Sequence, residues 1–215
     1  MHEQVIILTH YPHPGKVKTH LIPSVGAAVA AELHRKMTEH ILDTVLKMRK
    51  SRRIGVIIGY SGTDDETMRE WLGENFAYHP QPEGTLNDKL SYFLEVYGRQ
   101  QFSTLIIEND CPDLSVQVLT EAFETLKTHD MVFGPTHDGG YYLIGMKQYI
   151  QEVLTDNAWQ THGVFKKIME IVRQTDISCA CLKQLHNVGH PDNLFLCEQY
   201  LSVRKQSDSE DSRNE

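Results

Sequence analysis

The sequence has no apolar run that approaches the roughly 20 residues needed to cross a bilayer, so we expect no transmembrane segment. Its amino terminus also lacks the basic stretch and long apolar run of a secretory signal, and we therefore place the protein in the cytosol. Positive charge is scarce as well. The formal net charge of −8 argues against a nucleic-acid partner, because such proteins need a basic face to neutralise phosphates.

Cysteine is rare, and no pair has the C-x-x-C spacing of a redox or zinc motif. We expect the four cysteines to be reduced thiols. The alternative is a metal pair at Cys179 and Cys181, which would share one face of a strand. Two phosphate-binding motifs are also missing, since neither G-x-x-x-x-G-K-[ST] nor G-x-G-x-x-G occurs.

Short β-branched runs alternate with longer amphipathic stretches, which is typical of strand and crossover-helix units. Strands are predicted at residues 5–9, 54–59, 104–107 and 131–133, with weaker candidates at 141–146 and 177–182. Helices are predicted at residues 25–48, 65–75, 87–97, 115–126, 163–173 and 191–203. The pattern predicts an α/β fold with three layers, α/β/α, around a mainly parallel central sheet.

No internal repeat or low-complexity linker divides the chain. We therefore predict a single domain over residues 1–204. Residues 205–215 carry several acidic side chains and nothing apolar to pack, which indicates a disordered tail.

In an open parallel sheet, ligands bind beyond the carboxyl ends of the strands. Three loops follow predicted strands there. The first loop, residues 10–21, contains prolines, the flexible Gly15 and two lysines, Lys16 and Lys18. Such a loop suits an anionic ligand, because glycine lets the backbone approach a phosphate and lysine supplies mobile positive charge. The alternative is a surface loop with two solvated lysines.

The acidic loop, residues 106–114, runs from a buried strand into Glu108 and Asp110, which would point to the same side of an extended chain. Two carboxylates so placed offer hard oxygen ligands to Mg²⁺ or Mn²⁺. Asp113 or Ser115 would instead cap the next helix, and for Asp113 capping is the better explanation.

The glycine loop, residues 134–143, has Gly139 and Gly140 after Asp138. The two glycines fit a turn between strands, and they would also allow the backbone to pass close to a ligand. Asp138 would then be free to contact a sugar hydroxyl or a metal, and Tyr141 would lie beside it.

Taken in order, these loops resemble the bacterial GT-A-fold glycosyltransferase-like proteins of the selenodomain-associated transferase type, within the nucleotide-diphospho-sugar transferase superfamily. The resemblance rests on residues 12–19 (PHPGKVKT), 110–114 (DCPDL) and 134–145 (GPTHDGGYYLIG). Residues 81–84 (QPEG), Trp159 with Thr161, and residues 191–194 add to it.

The resemblance implies a nucleotide-binding sheet, a sugar-nucleotide or nucleoside-triphosphate ligand, an acceptor of unknown identity, and a divalent metal, Mg²⁺ or Mn²⁺. Glu108 and Asp110 would hold the metal, while Asp138 and Tyr141 would line the donor-sugar or acceptor pocket. The nucleotide and its phosphates would contact Pro14, Gly15, Lys16, Lys18, Thr19, His20, Gly84, Lys89, Asn109, Gly139 and Gly140.

The chain departs from the family pattern at several of these positions. Histidines, His10 and His20, stand where the family usually has lysine and arginine, and Gly189 stands where it often has a second metal-binding carboxylate. A related hypothesis concerns the histidines near this edge of the sheet, which would strengthen phosphate binding as pH falls or bind a transition metal; the alternative is that most are solvated loop residues. They are His10, His13, His20, His137 and His190.

Metal-assisted glycosyl transfer from a sugar nucleotide is the leading hypothesis. One alternative keeps the fold and transfers a nucleotidyl group from a nucleoside triphosphate, releasing pyrophosphate. The other is a non-catalytic nucleotide-binding protein whose site has lost the groups needed for turnover.

Overall fold

The structure is a computed structural model that describes residues 2–98, 102–153, 164–189 and 191–197. Seven strands lie in this part of the chain: β1 His2–His10, β2 Ile54–Ser61, β3 Ala77–Pro80, β4 Phe102–Glu108, β5 Met131–Pro135, β6 Tyr141–Met146 and β7 Cys179–Cys181. The helices are α1 Ile22–Val25, α2 Ala27–Arg49, α3 Asp65–Leu72, α4 Leu86–Gly98, α5 Val116–Thr125 and α6 Val164–Arg173. Short 3₁₀ helices cover Thr19–Leu21, Gln151–Val153 and Pro191–Cys197.

The strands form one sheet in the order β3-β2-β1-β4-β6-β5-β7. The central strand β1 pairs in parallel with β2 and β4, and β2 pairs in parallel with β3. Strand β6 is antiparallel to both of its neighbours, β4 and β5, while β7 returns parallel to β5. The predicted mainly parallel sheet is confirmed.

Both faces of the sheet are covered by helices. Along β1, Val5 and Ile7 pack with residues of α2, α3 and α5, whereas Ile6 and Leu8 pack with α4 and α6. Successive strand residues point to opposite faces, so a strand that is apolar at every position must be buried on both sides. The predicted three-layer α/β/α arrangement is therefore confirmed.

Most predicted elements match the structure to within a few residues. Strand β3 was not predicted, because its four residues at the sheet edge, AYHP, form a run too short and too polar to give a pattern. The predicted helix at 191–203 is present over its described part as the 3₁₀ helix Pro191–Cys197. Trp159, Thr161, His190 and the predicted tail at 205–215 lie outside the described residues.

The described residues bear on two expectations from the sequence, the absence of a transmembrane segment and the reduced state of the cysteines. None of their helices is both long enough and apolar enough to cross a membrane. All four cysteines are free thiols, with Cys111 and Cys197 buried. The division into one domain and a tail stays a prediction.

Candidate functional site

A cleft of about 290 Å³ lies beyond the carboxyl end of β1 and β4. The end of β1, the first loop, α2, the segment between β3 and α4, and the acidic loop all contribute to its wall. The lining residues are Leu8, His10, Lys16, Val17, Lys18, His20, His34, Gln81, Leu86, Lys89, Glu108, Asn109 and Asp110. The parallel strand ends bring these distant segments together.

The first loop is held against β2 by its backbone. The Tyr11 N–H donates to the Ser61 carbonyl over 2.8 Å, and the Lys16 N–H donates to the His13 carbonyl over 3.0 Å. Gly15 has a φ of +82°, in the region that glycine adopts most readily. The turn at Gly15 leaves Lys16 exposed at the mouth of the cleft.

Lys18 points into the cleft wall instead of into solvent. Its Nζ donates to Asp110 Oδ1 over 2.8 Å, and its side chain is only 2% exposed. Burial by itself raises the pKa of Asp110, but the charge and hydrogen bond of Lys18 outweigh burial and hold that pKa below its ordinary value. Asp110 is therefore an ionised carboxylate with a fixed cation beside it.

Glu108, two residues earlier, lies in a different environment. Burial, helped by repulsion from Asp110, raises the pKa of Glu108 to about 7. Its carboxylate lies against the hydroxyl of Tyr141 on β6, and a hydrogen bond between them acts in the opposite direction. Burial also raises the pKa of Tyr141 far above its ordinary value, so its hydroxyl stays protonated.

Beneath the cleft, Asn109 belongs to a buried polar network. Its Nδ2 donates to Thr38 Oγ1 over 2.6 Å and to Thr9 Oγ1 over 3.2 Å. His34 completes the network, with its Nε2 2.9 Å from the His10 carbonyl. Burial, followed by the nearby charge of Lys18, lowers the pKa of His34 to about 4, so the ring is neutral at pH 7. The amide of Asn109 is thus committed to joining β1, α2 and β4.

The segment from Gln81 to Lys89 closes another side of the cleft. Gln81 Nε2 donates to the carbonyls of Thr9 (2.9 Å) and Gly59 (2.8 Å), which fixes its side chain across β1 and β2. Gly84, with a φ of +122°, makes the turn into α4, and Lys89 reaches the cleft from the first turns of that helix. A Cβ at Gly84 would lie 2.6 Å from Asp88 Oδ2, so the turn itself explains this glycine.

The glycine loop lies beside the cleft without lining it. Asp138 Oδ1 accepts from Thr136 Oγ1 and from the Gly140 N–H, and Oδ2 accepts from Asn187 Nδ2 over 2.8 Å. Partial burial raises the pKa of Asp138, but these hydrogen bonds outweigh it and lower the pKa below its ordinary value. Asp138 is therefore ionised and ordered by two separate loops.

Of the predicted site residues, the structure brings seven into the cleft wall: Lys16, Lys18, His20, Lys89, Glu108, Asn109 and Asp110. The others lie outside that wall: Pro14, Gly15, Thr19, Gly84, Asp138, Gly139, Gly140 and Tyr141. Sequence reasoning missed His34. The available signal was a histidine and a threonine, Thr38, one turn apart on the otherwise apolar stripe of α2.

The side chains around the cleft can be compared with the ligands that the predicted Mg²⁺ or Mn²⁺ requires. Such an ion needs several oxygen ligands. Among the described residues, no group of three or more His, Cys, Asp and Glu side chains is arranged to hold a metal. Glu108 and Asp110 are two carboxylates, but Asp110 already bonds an ammonium, and burial, which raises the pKa of Glu108 to about 7, disfavours its charged form. The described residues therefore do not fit the ion, and the metal stays a prediction.

A family model with the description "Uncharacterized protein conserved in bacteria (DUF2064)" matches residues 44–161, just over half of the chain. The chain belongs to the DUF2064 family. The matched region of this DUF2064 chain contains the acidic and glycine loops, Gln81 and Lys89, whereas the first loop precedes it.

Solved structures share the fold over nearly the whole DUF2064 chain. A protein of Desulfovibrio desulfuricans G20, named as a candidate nucleotide-diphospho-sugar transferase, is 23% identical with a TM-score of 0.83, covering 97% of this chain and 96% of that one. A nucleotidyl transferase from Methanothermobacter thermautotroptrophicus is 12% identical with a TM-score of 0.63, covering 94% and 99%. No curated protein matches this sequence. At these identities the similarity establishes the nucleotide-diphospho-sugar transferase type of fold.

Proposed function

We propose that this protein is a transferase that binds a nucleotide-diphospho-sugar through its phosphates in the cleft and transfers the sugar. The observation that carries the proposal is the convergence of Lys16, Lys18 and Lys89 on one cleft at the carboxyl edge of a parallel sheet. The name of the Desulfovibrio desulfuricans protein, whose fold covers nearly the whole chain, supports the same substrate class.

The three lysines come from separate places in the fold. Lys16 lies at the exposed turn of the first loop, Lys18 in the cleft wall, and Lys89 on the first turns of α4. A diphosphate that leaves a sugar gains negative charge as the bond breaks, and cations already in place stabilise that charge without reorganisation. Ammonium groups suit this task as compact point charges.

Other residues would orient the reactants. Asp138 is an ordered, ionised carboxylate beside the cleft, and we propose that it accepts a hydrogen bond from a hydroxyl of the sugar or of the acceptor. Tyr141 would act indirectly, because its buried hydroxyl interacts electrostatically with Glu108, which does line the cleft. We therefore propose Tyr141 as a positioning residue for Glu108.

A second candidate reaction is nucleotidyl transfer from a nucleoside triphosphate with release of pyrophosphate. The shared fold with the nucleotidyl transferase of Methanothermobacter thermautotroptrophicus favours it. The same lysines would then stabilise departing pyrophosphate. The two reactions differ in their products, since glycosyl transfer releases a nucleoside diphosphate.

Binding tests the proposal first. We would measure thermal unfolding with UDP, GDP, CDP, ADP, their common sugar conjugates and the four nucleoside triphosphates, each with Mg²⁺, with Mn²⁺ and with EDTA. A ligand at about 100 times its Kd stabilises the folded state by about 2.7 kcal/mol. We expect one base to stabilise the protein and Lys16→Met and Lys89→Met to weaken that stabilisation. Lys47→Met, on the outer surface of α2, is the matched control.

Product analysis separates the reactions. Release of nucleoside diphosphate from the stabilising sugar conjugate supports glycosyl transfer, and release of pyrophosphate from a triphosphate supports the second candidate. Binding without turnover across the panel supports the non-catalytic alternative. If no nucleotide stabilises the protein, the proposed function is wrong.

A further inference from the structure

The position of Lys18 is built into the fold. Its backbone adopts the left-handed conformation, with φ 43° and ψ 44°, which is uncommon for a residue that is not glycine. This conformation begins the 3₁₀ helix Thr19–Leu21 and leaves the side chain of Lys18 buried in the cleft wall. A strained backbone persists only where surrounding contacts hold it in place.

Those contacts come from two distant segments. Asp110 Oδ1 accepts from Lys18 Nζ over 2.8 Å, and the carbonyl of Val188 lies 3.5 Å from the same nitrogen. The Val188 N–H in turn donates to the Asp110 carbonyl over 2.8 Å. The ammonium is therefore enclosed by the acidic loop and by the backbone that precedes Gly189.

An ammonium group has three protons to donate. Among the described residues, Lys18 Nζ has two acceptors, and the contact with Val188 is long. Because Lys18 also lines the cleft, its remaining donor capacity is available to an anion bound there. Asp110 meanwhile offers its Oδ1 to Lys18, and Gly189, next to Val188, has no side chain that could add an oxygen ligand.

We propose that Lys18 occupies the place that a divalent cation would take on Asp110, so that the cleft binds the phosphates of its nucleotide without a metal ion. This inference rests on the proposed function and specifies the charge chemistry of that same site. With Lys18 balanced by Asp110, Lys16 and Lys89 leave the phosphate-binding wall positive. A bound phosphate would accept from Lys18 on the side away from Asp110.

Calorimetry of nucleotide binding tests the proposal. The probes are the nucleotide that gives the largest thermal stabilisation and, separately, inorganic pyrophosphate, each titrated in EDTA and in excess Mg²⁺. We expect binding in EDTA with a Kd within about threefold of that in Mg²⁺, a difference below about 1 kcal/mol. Binding that requires Mg²⁺ would overturn the inference and leave the proposed function standing, whereas no binding in either condition would overturn both.

Two variants sharpen the result. Asp110→Asn keeps the shape of the side chain and removes its charge, so Lys18 loses its counter-ion and pyrophosphate should bind in EDTA at least as tightly as before. If Asp110 holds a metal, the same variant must instead lose binding in Mg²⁺, which would overturn the proposal. Lys18→Met should weaken binding in EDTA about tenfold or more.

The folded state of each variant is checked by circular dichroism, with Lys47→Met as control. Should Lys18→Met fail to fold, the Asp110→Asn result alone decides between the two roles of Asp110. Unchanged pyrophosphate affinity in a folded Lys18→Met protein would also overturn the proposal.

Discussion

The two ends of the sheet each contain a partly buried pair of a basic and an acidic side chain, and the pairs differ in how they are bonded. At the carboxyl end, Lys18 bonds Asp110 through one oxygen over 2.8 Å. At the amino end, Arg52 bonds both carboxylate oxygens of Glu3, and its Nη1 also donates to Glu124 over 2.8 Å.

The arginine pair is a structural clamp. Arg52 ties the start of β1 to α5, and its guanidinium lies 5.2 Å from the centroid of the Phe123 ring. Hydrogen bonding with Glu3 raises the pKa of Arg52 further above its ordinary value. The planar guanidinium of Arg52 is hydrogen-bonded on two sides by its carboxylate partners. The ammonium of Lys18, by contrast, keeps donor capacity toward the cleft.

The hollow around Arg52 is the larger of the two, about 690 Å³ against about 290 Å³. It is also rich in positive charge, with Arg49, Lys50 and Arg53 in its wall. Arg49 and Lys50 lie at the carboxyl end of α2, however, where cations complement the helix dipole. Size and positive charge by themselves therefore do not identify a binding site, and the proposed site is the cleft where strand ends and loops converge.

The largest expected effect comes from Arg52→Met. It leaves Glu3, whose side chain is 14% exposed, without its partner, so we expect a loss of about 2 to 3 kcal/mol in the free energy of unfolding. Urea denaturation measures it, with the exposed Arg53→Met as control. A loss below about 1 kcal/mol would contradict the clamp, and so would an altered nucleotide affinity in the folded variant.

The second largest expected effect is a pH dependence of the free energy of unfolding, which comes from His34 on the cleft side. The folded pKa of His34, about 4, lies below its unfolded value of about 6.5, so the unfolded chain takes up a proton first as pH falls. The contribution of His34 to stability is full above about pH 6.5 and falls by about 2 kcal/mol on the way to pH 5. His34→Gln should flatten this slope in urea denaturation series. An unchanged slope would show that the pKa of His34 is not lowered in the folded state.

The smallest expected effect is on nucleotide affinity, and it is measured by removing one lysine at each end of the sheet. Lys89→Met should weaken nucleotide binding about five- to tenfold, about 1 to 1.4 kcal/mol, and reduce its salt dependence. Lys50→Met removes the same charge from the hollow at the amino end and should leave affinity unchanged. Calorimetry at two ionic strengths measures both. Equal losses in the two variants would show that only the net charge matters.

Much of the fold could be predicted because its signals are local. Strand β2 is a nearly continuous apolar run, and the stripe on α2 recurs at helical spacing. The orientation of β6 was not predictable from such a pattern, since its six residues are all buried and read alike in either direction. Its antiparallel pairing with β4 places Tyr141 beside Glu108, a contact that no local sequence pattern predicts.

The sequence by itself determined most of the strands and helices and which loops follow the buried strands, because burial on two faces requires apolar residues at every strand position. Only the tertiary structure decided what those loop residues do. Lys18 and Asp110 are 92 positions apart, and Asp138 and Asn187 are 49 apart. Local patterns contain no information about such pairings. It is the sheet order that brings Lys18 onto Asp110, so that a residue predicted to bind phosphate also neutralises one predicted to bind metal.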